Sequence, residues 1–298
     1  MASTSDFAAG PLSGVRVLDL SRVIAGPYVG RLLCDMGAEV IKLEPPTGDE
    51  SREIAPKHDR GQSWMFTFAN VGKRSIALDL GKPGAPEVLI ALARVCDVVI
   101  ENFRPGVIER LGLGWERLHA ENPRAVLLSI NGFGSDSKLR DRRAYAPIVH
   151  AATGLPRDRG QLGQAPAQPR NAFADVSSGL HGAVALLAAL RVAEATGVGQ
   201  HVEVAMFDAT LASHSESGNV LLDPPDDRSM NPVYPAGAHG FVAIAGAESH
   251  VWVTLSRMYA TELEDPAIAE PDLETRSRKR QTAIAAWKLS RREYSAAS

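Results

Sequence analysis

Val15-Arg16-Val17-Leu18-Asp19-Leu20 is a short run of apolar and β-branched residues, the pattern of a buried strand. Ala25-Gly26-Pro27 breaks the run, and a proline there suits the first turn of a helix. Residues 28–36 continue with helical spacing up to Gly37, a residue type that commonly closes a helix. Glu39-Val40-Ile41-Lys42-Leu43-Glu44 is a second strand. Residues 15–44 therefore make one β-α-β unit, which favours a right-handed parallel crossover.

The alternation continues outward from this unit. Strands are expected at 75–80, 97–101, 125–130 and 201–205, and helices at 86–95, 107–111, 115–121 and 208–222. The strongest helix spans 176–194, with Leu180, Val184, Leu187 and Leu190 on one stripe. Residues 156–170, rich in Pro, Gly, Gln and Arg, read as a surface loop. Strands alternating with helices imply an α/β fold, a doubly wound, mostly parallel sheet covered on both faces. Asp223-Pro-Pro-Asp-Asp-Arg228 changes the composition, which divides the chain into a large domain over 1–222, a linker over 223–236 and a smaller α+β domain over 237–298. That smaller domain is expected to hold a strand at 241–245 and helices at 250–259 and 276–293.

Composition narrows the function classes. Of the 298 residues, 45% are apolar and 22% charged, a globular mix that excludes disorder as the main state. The net charge of -3 gives no footprint for nucleic acid. Two cysteines, Cys34 and Cys96, make no disulfide framework and suit a reducing, cytoplasmic setting. No apolar run approaches the length of a membrane span, and the first ten residues lack the basic end and apolar stretch of a secretory leader. Neither membrane association nor a leader is expected.

Several chemistries fall away residue by residue. The β-α-β unit ends in Glu44, as a dinucleotide site would, but the loop before its helix has only Gly26 and Gly30 and not Gly-x-Gly-x-x-Gly. The eight histidines are scattered without His-x-x-x-His, and the two cysteines have no close partner, so no metal site is expected. No Gly-x-Ser-x-Gly elbow is present.

Asp175 stands apart, in Phe173-Ala-Asp-Val-Ser-Ser-Gly-Leu180 at the junction between the polar loop and the strong helix. One reading is a helix N-cap, which aspartate does well. The other is a nucleophile: a carboxylate kept ionised by the helix dipole and free N–H groups, able to attack a thioester. Small Ser177, Ser178 and Gly179 would leave room for a reactant beside it. Basic residues precede it at Lys73, Arg74, Arg104, Arg110, Lys138, Arg140, Arg142 and Arg143, either as solvated loop charge or as donors to a phosphorylated ligand.

A chain of separate motifs then carries a resemblance: Leu12-Ser-Gly-Val-Arg-Val-Leu-Asp-Leu20, Ala25-Gly-Pro27, Gly37-Ala-Glu-Val-Ile-Lys-Leu-Glu44 and Asn70-Val-Gly-Lys-Arg-Ser75. Glu101-Asn-Phe-Arg-Pro-Gly-Val107, residues 145–155 and Gly197-Val-Gly-Gln-His-Val-Glu-Val-Ala-Met-Phe-Asp208 complete it. Their order and spacing resemble the class III CoA-transferases, the CaiB/BaiF family, which includes formyl-CoA transferase and the α-methylacyl-CoA racemases. The resemblance implies a CoA-binding Rossmann-like domain, a smaller domain and an interlocked homodimer. It implies acyl-CoA and a carboxylic acid as substrates, with coenzyme A carried as a substrate rather than a resident cofactor. It puts the nucleophile at Asp175 and CoA contacts at Val23, Leu78, Asn102, Phe103, Arg110 and Arg143, with Lys73 and Lys82 beside them.

The chain departs from the family in three places. Ile24 and Ala146 replace a glutamine and an acidic residue that line the acyl site of the formyl-CoA transferase branch, which points to a larger or less polar acyl group than oxalate or formate. Tyr145 stands where the racemase branch has a histidine, while Glu248 matches a racemase glutamate, so a 2-methylacyl-CoA racemase or epimerase is the alternative. His150 is five residues from Tyr145, more than a helical turn, and is a poor substitute for that histidine. The small domain ends earlier than in the family, which leads to a third expectation: a truncated, acyl-CoA-binding homologue without catalysis.

Overall fold

The computed structural model describes residues 10–58, 61–158, 168–169, 171–214, 233–236 and 240–243. The chain divides into two compact units, Met1–Pro224 and Pro225–Ser298. In order, the first contains β1 (Arg16–Asp19), α1 (Ala25–Asp35), β2 (Glu39–Glu44), a 3-10 turn (Glu50–Glu53), α2 (Trp64–Asn70), β3 (Arg74–Ala77), α3 (Ala85–Arg94) and β4 (Val98–Glu101). There follow α4 (Val107–Arg110), α5 (Trp115–Glu121), β5 (Val126–Asn131), α6 (Ala146–Thr153), α7 (Leu155–Asp158), α8 (Phe173–Thr196), β6 (His201–Ala205) and α9 (Met206–Ser213). In the second unit β7 (Val233–Ala236) and β8 (Gly240–Ala243) pair antiparallel. The last residues of the expected linker are thus part of a strand. The helices expected at 250–259 and 276–293 lie outside the described residues.

Six strands form one parallel sheet in the order β3-β2-β1-β4-β5-β6. Alternate residues of each strand point to opposite faces and make two separate cores. Val17, Val40, Val98, Ile100, Val126 and Leu128 pack with Val29 and Leu33 of α1 and Leu186 and Leu190 of α8. Leu18, Leu43, Val99 and Leu127 pack on the other side with Leu89 and Ile90 of α3, Ile108 of α4 and Leu118 of α5. Both faces are covered, as the apolar strands require, and the doubly wound α/β expectation holds.

Three short elements carry no periodic signal: the 3-10 turn, α2 and α6. Their ends are local chemistry. Asp49 caps the 3-10 turn by accepting from the Ser51 N–H, and Ser63 caps α2 by accepting from the Phe66 N–H. β3 stops at Ala77 rather than running to residue 80, because Asp79 folds back to accept from the Gly81 N–H.

α8 corrects two expectations. Over its first half the inward residues are small (Ala174, Ser177, Ser178, Gly179, Gly182, Ala183) and Leu180 and Val184 of the expected stripe are exposed, Val184 at 70%, whereas Leu187 and Leu190 of that stripe do face the core. The helix packs against α1, α9, β5 and β6, and small side chains allow the close approach. Among the described residues it is also the one helix long and apolar enough to cross a membrane, although no such stretch is expected from the sequence. Half of that window is buried, as in a core helix.

Candidate active site

Asp175 is the third residue of α8, inside the first turn. The cap position is Ala172, which has no side-chain cap, so the N-cap reading does not hold. The orphan N–H of Ala174 is taken instead by Nε2 of buried His150, at 3.1 Å from α6. The Asp175 carboxylate lies near its own N–H and that of Ala25, the first residue of α1. It thus sits where two helices start. Gly179 permits this: a Cβ there would lie 3.0 Å from the Ala25 carbonyl oxygen and 3.0 Å from Cδ1 of Tyr28.

Those N–H groups lower the Asp175 pKa, but burial outweighs them and pushes it up to about 6. The helix dipole and free N–H groups expected to favour the ionised form are therefore outweighed by burial in the direction of the shift. The ionised form still outnumbers the neutral one by about ten to one at pH 7. The partial desolvation makes the carboxylate a better nucleophile than one in bulk water. Ser177, Ser178 and Gly179, expected to leave room for a reactant, are buried against protein, and the Ser178 hydroxyl donates to the Ala174 carbonyl at 2.7 Å.

The loop between β1 and α1 leads into Ala25. Among the described residues Val23 alone, apart from glycines, has a positive φ, +65°. A β-branched side chain in this region costs about 1–3 kcal/mol, so the surroundings must hold it there. Asn102, just beyond β4, clasps the preceding residue from both sides: its Oδ1 accepts from the Arg22 N–H and its Nδ2 donates to the Arg22 carbonyl, each at 2.7 Å. The expected CoA contacts Val23 and Asn102 are thereby brought together where the chain leaves β1 and β4. That is the point where strand order reverses, the usual ligand crevice of an open α/β sheet.

Phe103 and Leu78 pack against the same core cluster. The Phe103 N–H donates to Glu101 Oε2 at 2.7 Å, and burial pushes that glutamate's pKa up to about 7. Arg110, at the end of α4, and Arg143, before α6, are both exposed, and among the described residues neither forms an ion pair.

Lys73 does not fit its expected place at a phosphate. Its side chain is 2% exposed and its ammonium is 2.7 Å from Asp19 Oδ2, 2.7 Å from the Pro27 carbonyl and 2.9 Å from Asn70 Oδ1. Three acceptors take its three protons, leaving none for a ligand. Ile24 and Ala146 are buried, Ala146 within the core cluster shared by α1 and α8, whereas Tyr145 beside it is exposed. Glu248 lies outside the described residues.

The polar groups under the loop were missed at the level of sequence. Lys42 and Asp49 form a buried pair at 3.0 Å, Lys42 also donates to the Ser21 carbonyl at 2.9 Å, and Asp19 accepts from the Ser21 N–H and hydroxyl. Glu44 does not face a ribose: it is bonded by Arg52 through two nitrogens and by Ser75, which hold its pKa down to about 2. A usable signal existed, since Asp19 and Lys42 are charges inside otherwise apolar strands, and such charges are buried only when paired.

A doubly wound parallel sheet whose strand order reverses between β1 and β4, with the Asp175 carboxylate at the start of a helix packed on it, gives the fold class of this protein. More narrowly, the chain belongs to CoA-transferase family III, whose family model matches residues 12–297. It is 34% identical over 284 residues to the succinyl-CoA–L-malate CoA-transferase alpha subunit of Chloroflexus aurantiacus, covering 92% of this chain and 66% of that one. It is 40% identical over 205 residues to the acetyl-CoA:oxalate CoA-transferase of Acetobacter aceti, covering 68% and 52%. The succinate–glutarate CoA-transferase of Agrobacterium fabrum is 37% identical over 225 residues, covering 72% and 56%. The chain thus spans between half and two thirds of the length of these relatives.

Solved structures agree on the fold. A CaiB/BaiF family protein from Brucella suis superposes with a TM-score of 0.78 at 32% identity, covering 93% of this chain and 77% of that one. A hypothetical protein (Rv3272) from Mycobacterium tuberculosis gives 0.80 at 31% identity, covering 94% and 78%.

Proposed function

We propose that the protein is an acyl-CoA:carboxylate CoA-transferase with Asp175 as its nucleophile. The observation that carries this reading is the half-buried Asp175 carboxylate in the first turn of α8, where Gly179 lets that helix approach the start of α1. Family membership and relatives named for CoA transfer support it.

In the first step a carboxylate oxygen of Asp175 attacks the thioester carbonyl. The C–S bond breaks, giving a mixed anhydride and CoA thiolate. The thiolate then attacks the aspartyl carbonyl, forming an aspartyl-CoA thioester and releasing the first acid as its carboxylate. The acceptor carboxylate attacks that thioester and expels the thiolate, giving a second anhydride. The thiolate finally attacks the acceptor's carbonyl, which yields the new acyl-CoA and regenerates Asp175. No proton is gained or lost overall. Energy is conserved because one thioester replaces another.

Arg110 and Arg143, exposed and unpaired among the described residues, are the donors we assign to the CoA phosphates. The Val23 loop, Asn102, Phe103 and Leu78 are assigned to its pantetheine and adenine. Malate, oxalate and glutarate, in the relatives' names, are dicarboxylic acids, and we take a dicarboxylic acid as the acceptor class. Ile24 and Ala146 favour one longer than oxalate. The exposed apolar Leu180 and Val184 of α8 support a homodimer, and two free thiols, Cys34 and Cys96, suit a reducing, cytoplasmic setting.

The test is direct. The protein is mixed with succinyl-CoA and other acyl-CoAs, quenched with hydroxylamine, digested and analysed by mass spectrometry. A hydroxamate at Asp175 is the expected product. No adduct there with any thioester of a broad panel refutes the reading.

A further inference from the structure

The buried charges under the β1–α1 loop take no part in the chemistry above, and they are placed to act on it. Asp49 and Lys42 are almost wholly inaccessible and 3.0 Å apart. Such a pair is poor value as a stabiliser, because taking both charges out of water offsets most of their attraction. Its geometry has a more specific consequence. Both oxygens of Asp49 face the N–H of Val23, at 3.3 and 3.2 Å, and Val23 is the strained residue of the loop. Lys42 holds the loop one step earlier, through the Ser21 carbonyl. Two residues after Val23 comes Ala25, which opens α1 at the point where Gly179 brings α8, and with it Asp175, close.

We propose that Asp49, oriented by Lys42, is a positioning residue: by accepting the Val23 N–H it holds that residue left-handed and keeps the Ala25 N–H aimed at Asp175. This rests on the reading of Asp175 as the nucleophile. Asp49 itself stays buried beneath the loop, and its effect passes through the backbone of residues 23–25. The other end of the turn is pinned separately, by Lys73 on the Pro27 carbonyl, so Val23 is the part that Asp49 controls.

The test compares two double variants that both remove the buried charges. K42M/D49N keeps a side-chain oxygen for the Val23 N–H, whereas K42M/D49A has none. With succinyl-CoA and a dicarboxylate acceptor, K42M/D49A is expected to lose at least about tenfold in kcat with KM within about threefold of the wild type. K42M/D49N is expected to recover to within about threefold of the wild-type kcat. Adding V23G to K42M/D49A is expected to recover at least about half of the lost rate, since glycine adopts this backbone conformation unaided. Equal rates in the two double variants, or no recovery with V23G, overturn the proposal.

A measurement on the wild-type protein needs no variant to fold. The Val23 amide, although outside any helix or strand, should exchange with deuterated water at least about a hundredfold more slowly than a free loop amide. Unprotected exchange also overturns the proposal. A wild-type protein that forms no Asp175 adduct sinks the transferase reading and leaves this amide test standing. An adduct that forms equally fast in wild type and K42M/D49A sinks the positioning role alone.

Discussion

Gly179 of α8 lies against Ala25, which opens α1: a Cβ on the glycine would stand 3.0 Å from the Ala25 carbonyl oxygen. Two helices that pack on one face of the sheet thus come together beside Asp175, in the first turn of α8. Burial nonetheless dominates its titration, so the site holds a carboxylate that is partly desolvated yet mostly charged near neutral pH.

Replacing the proposed nucleophile should separate binding from chemistry. Asp175→Asn is expected to lower the CoA-transfer rate by at least about a thousandfold. CoA affinity by calorimetry should stay within a few fold, because the phosphate donors are elsewhere. Turnover close to wild type in this variant would remove Asp175 from the mechanism.

The raised pKa has opposite signs for activity and stability. Transfer requires the ionised acid, so kcat/KM should fall as pH drops through about 6. Between its unfolded value of 3.8 and the folded value of about 6, the folded chain holds a proton that the unfolded chain has released. Stability therefore declines as pH rises through that window and stays lower above it. Asp175→Asn should accordingly stabilise the protein at pH 7 by about 1–3 kcal/mol, with the gain vanishing below about pH 4. Thermal melts of both proteins at the two pH values check this. Equal stability at pH 7 contradicts a buried carboxylate.

Lys73 and Arg143 should fail in different ways. Lys73→Met strands Asp19 as an unpaired buried charge and is expected to cost about 3–5 kcal/mol of stability. Arg143→Ala touches an exposed guanidinium, so it should leave the melting temperature alone and raise KM for the acyl-CoA about tenfold. Chemical denaturation and steady-state kinetics on both variants distinguish the cases. A CoA defect in a fully stable Lys73→Met protein would return that lysine to the ligand.

Gly179 is where α8 comes close to α1. Gly179→Val places branched carbons against the Ala25 carbonyl and Tyr28, both 3.0 Å from the added Cβ. It is expected to destabilise by about 1–3 kcal/mol and to slow transfer by moving Asp175 off the Ala25 N–H. Denaturation midpoints and single-turnover rates measure the two effects. A variant that is destabilised but transfers at the wild-type rate would show that the helix approach does not set the reactive geometry.

The exposed side of the same helix bears on assembly. Val184→Glu puts a charge on the patch it shares with Leu180, and sedimentation should show weaker self-association without loss of secondary structure. An unchanged association state would place any dimer contact elsewhere.

The sheet was readable because strands buried on both faces, such as residues 98–101 and 126–131, are nearly continuous apolar runs. The burial face of α8 was not. Large leucines and valines mark a stripe, but helices in close contact bury Ala, Ser and Gly, and that preference is set by the neighbouring helix. α2, Trp64-Met-Phe-Thr-Phe-Ala-Asn70, is too short and too evenly apolar to show a period. At the site, the start of the strong helix singled out Asp175 and the family resemblance put the nucleophile there, whereas Ser177, Ser178 and Gly179, read as room for a reactant, serve packing. Lys73 was misread because charge along a chain does not report burial. Its partner Asp19 lies on another strand, and Asp49, Val23 and Lys42 meet only through the fold.

The acid on α8 and the amide that steadies it on α1 come from opposite ends of the large unit. A chain that has folded only its first strands and helices has no finished reaction centre, and a detached α8 has only a common solvated aspartate. On the proposed reading, capture of an acyl group requires both helices in place, so neither half of the large unit alone should react with a thioester.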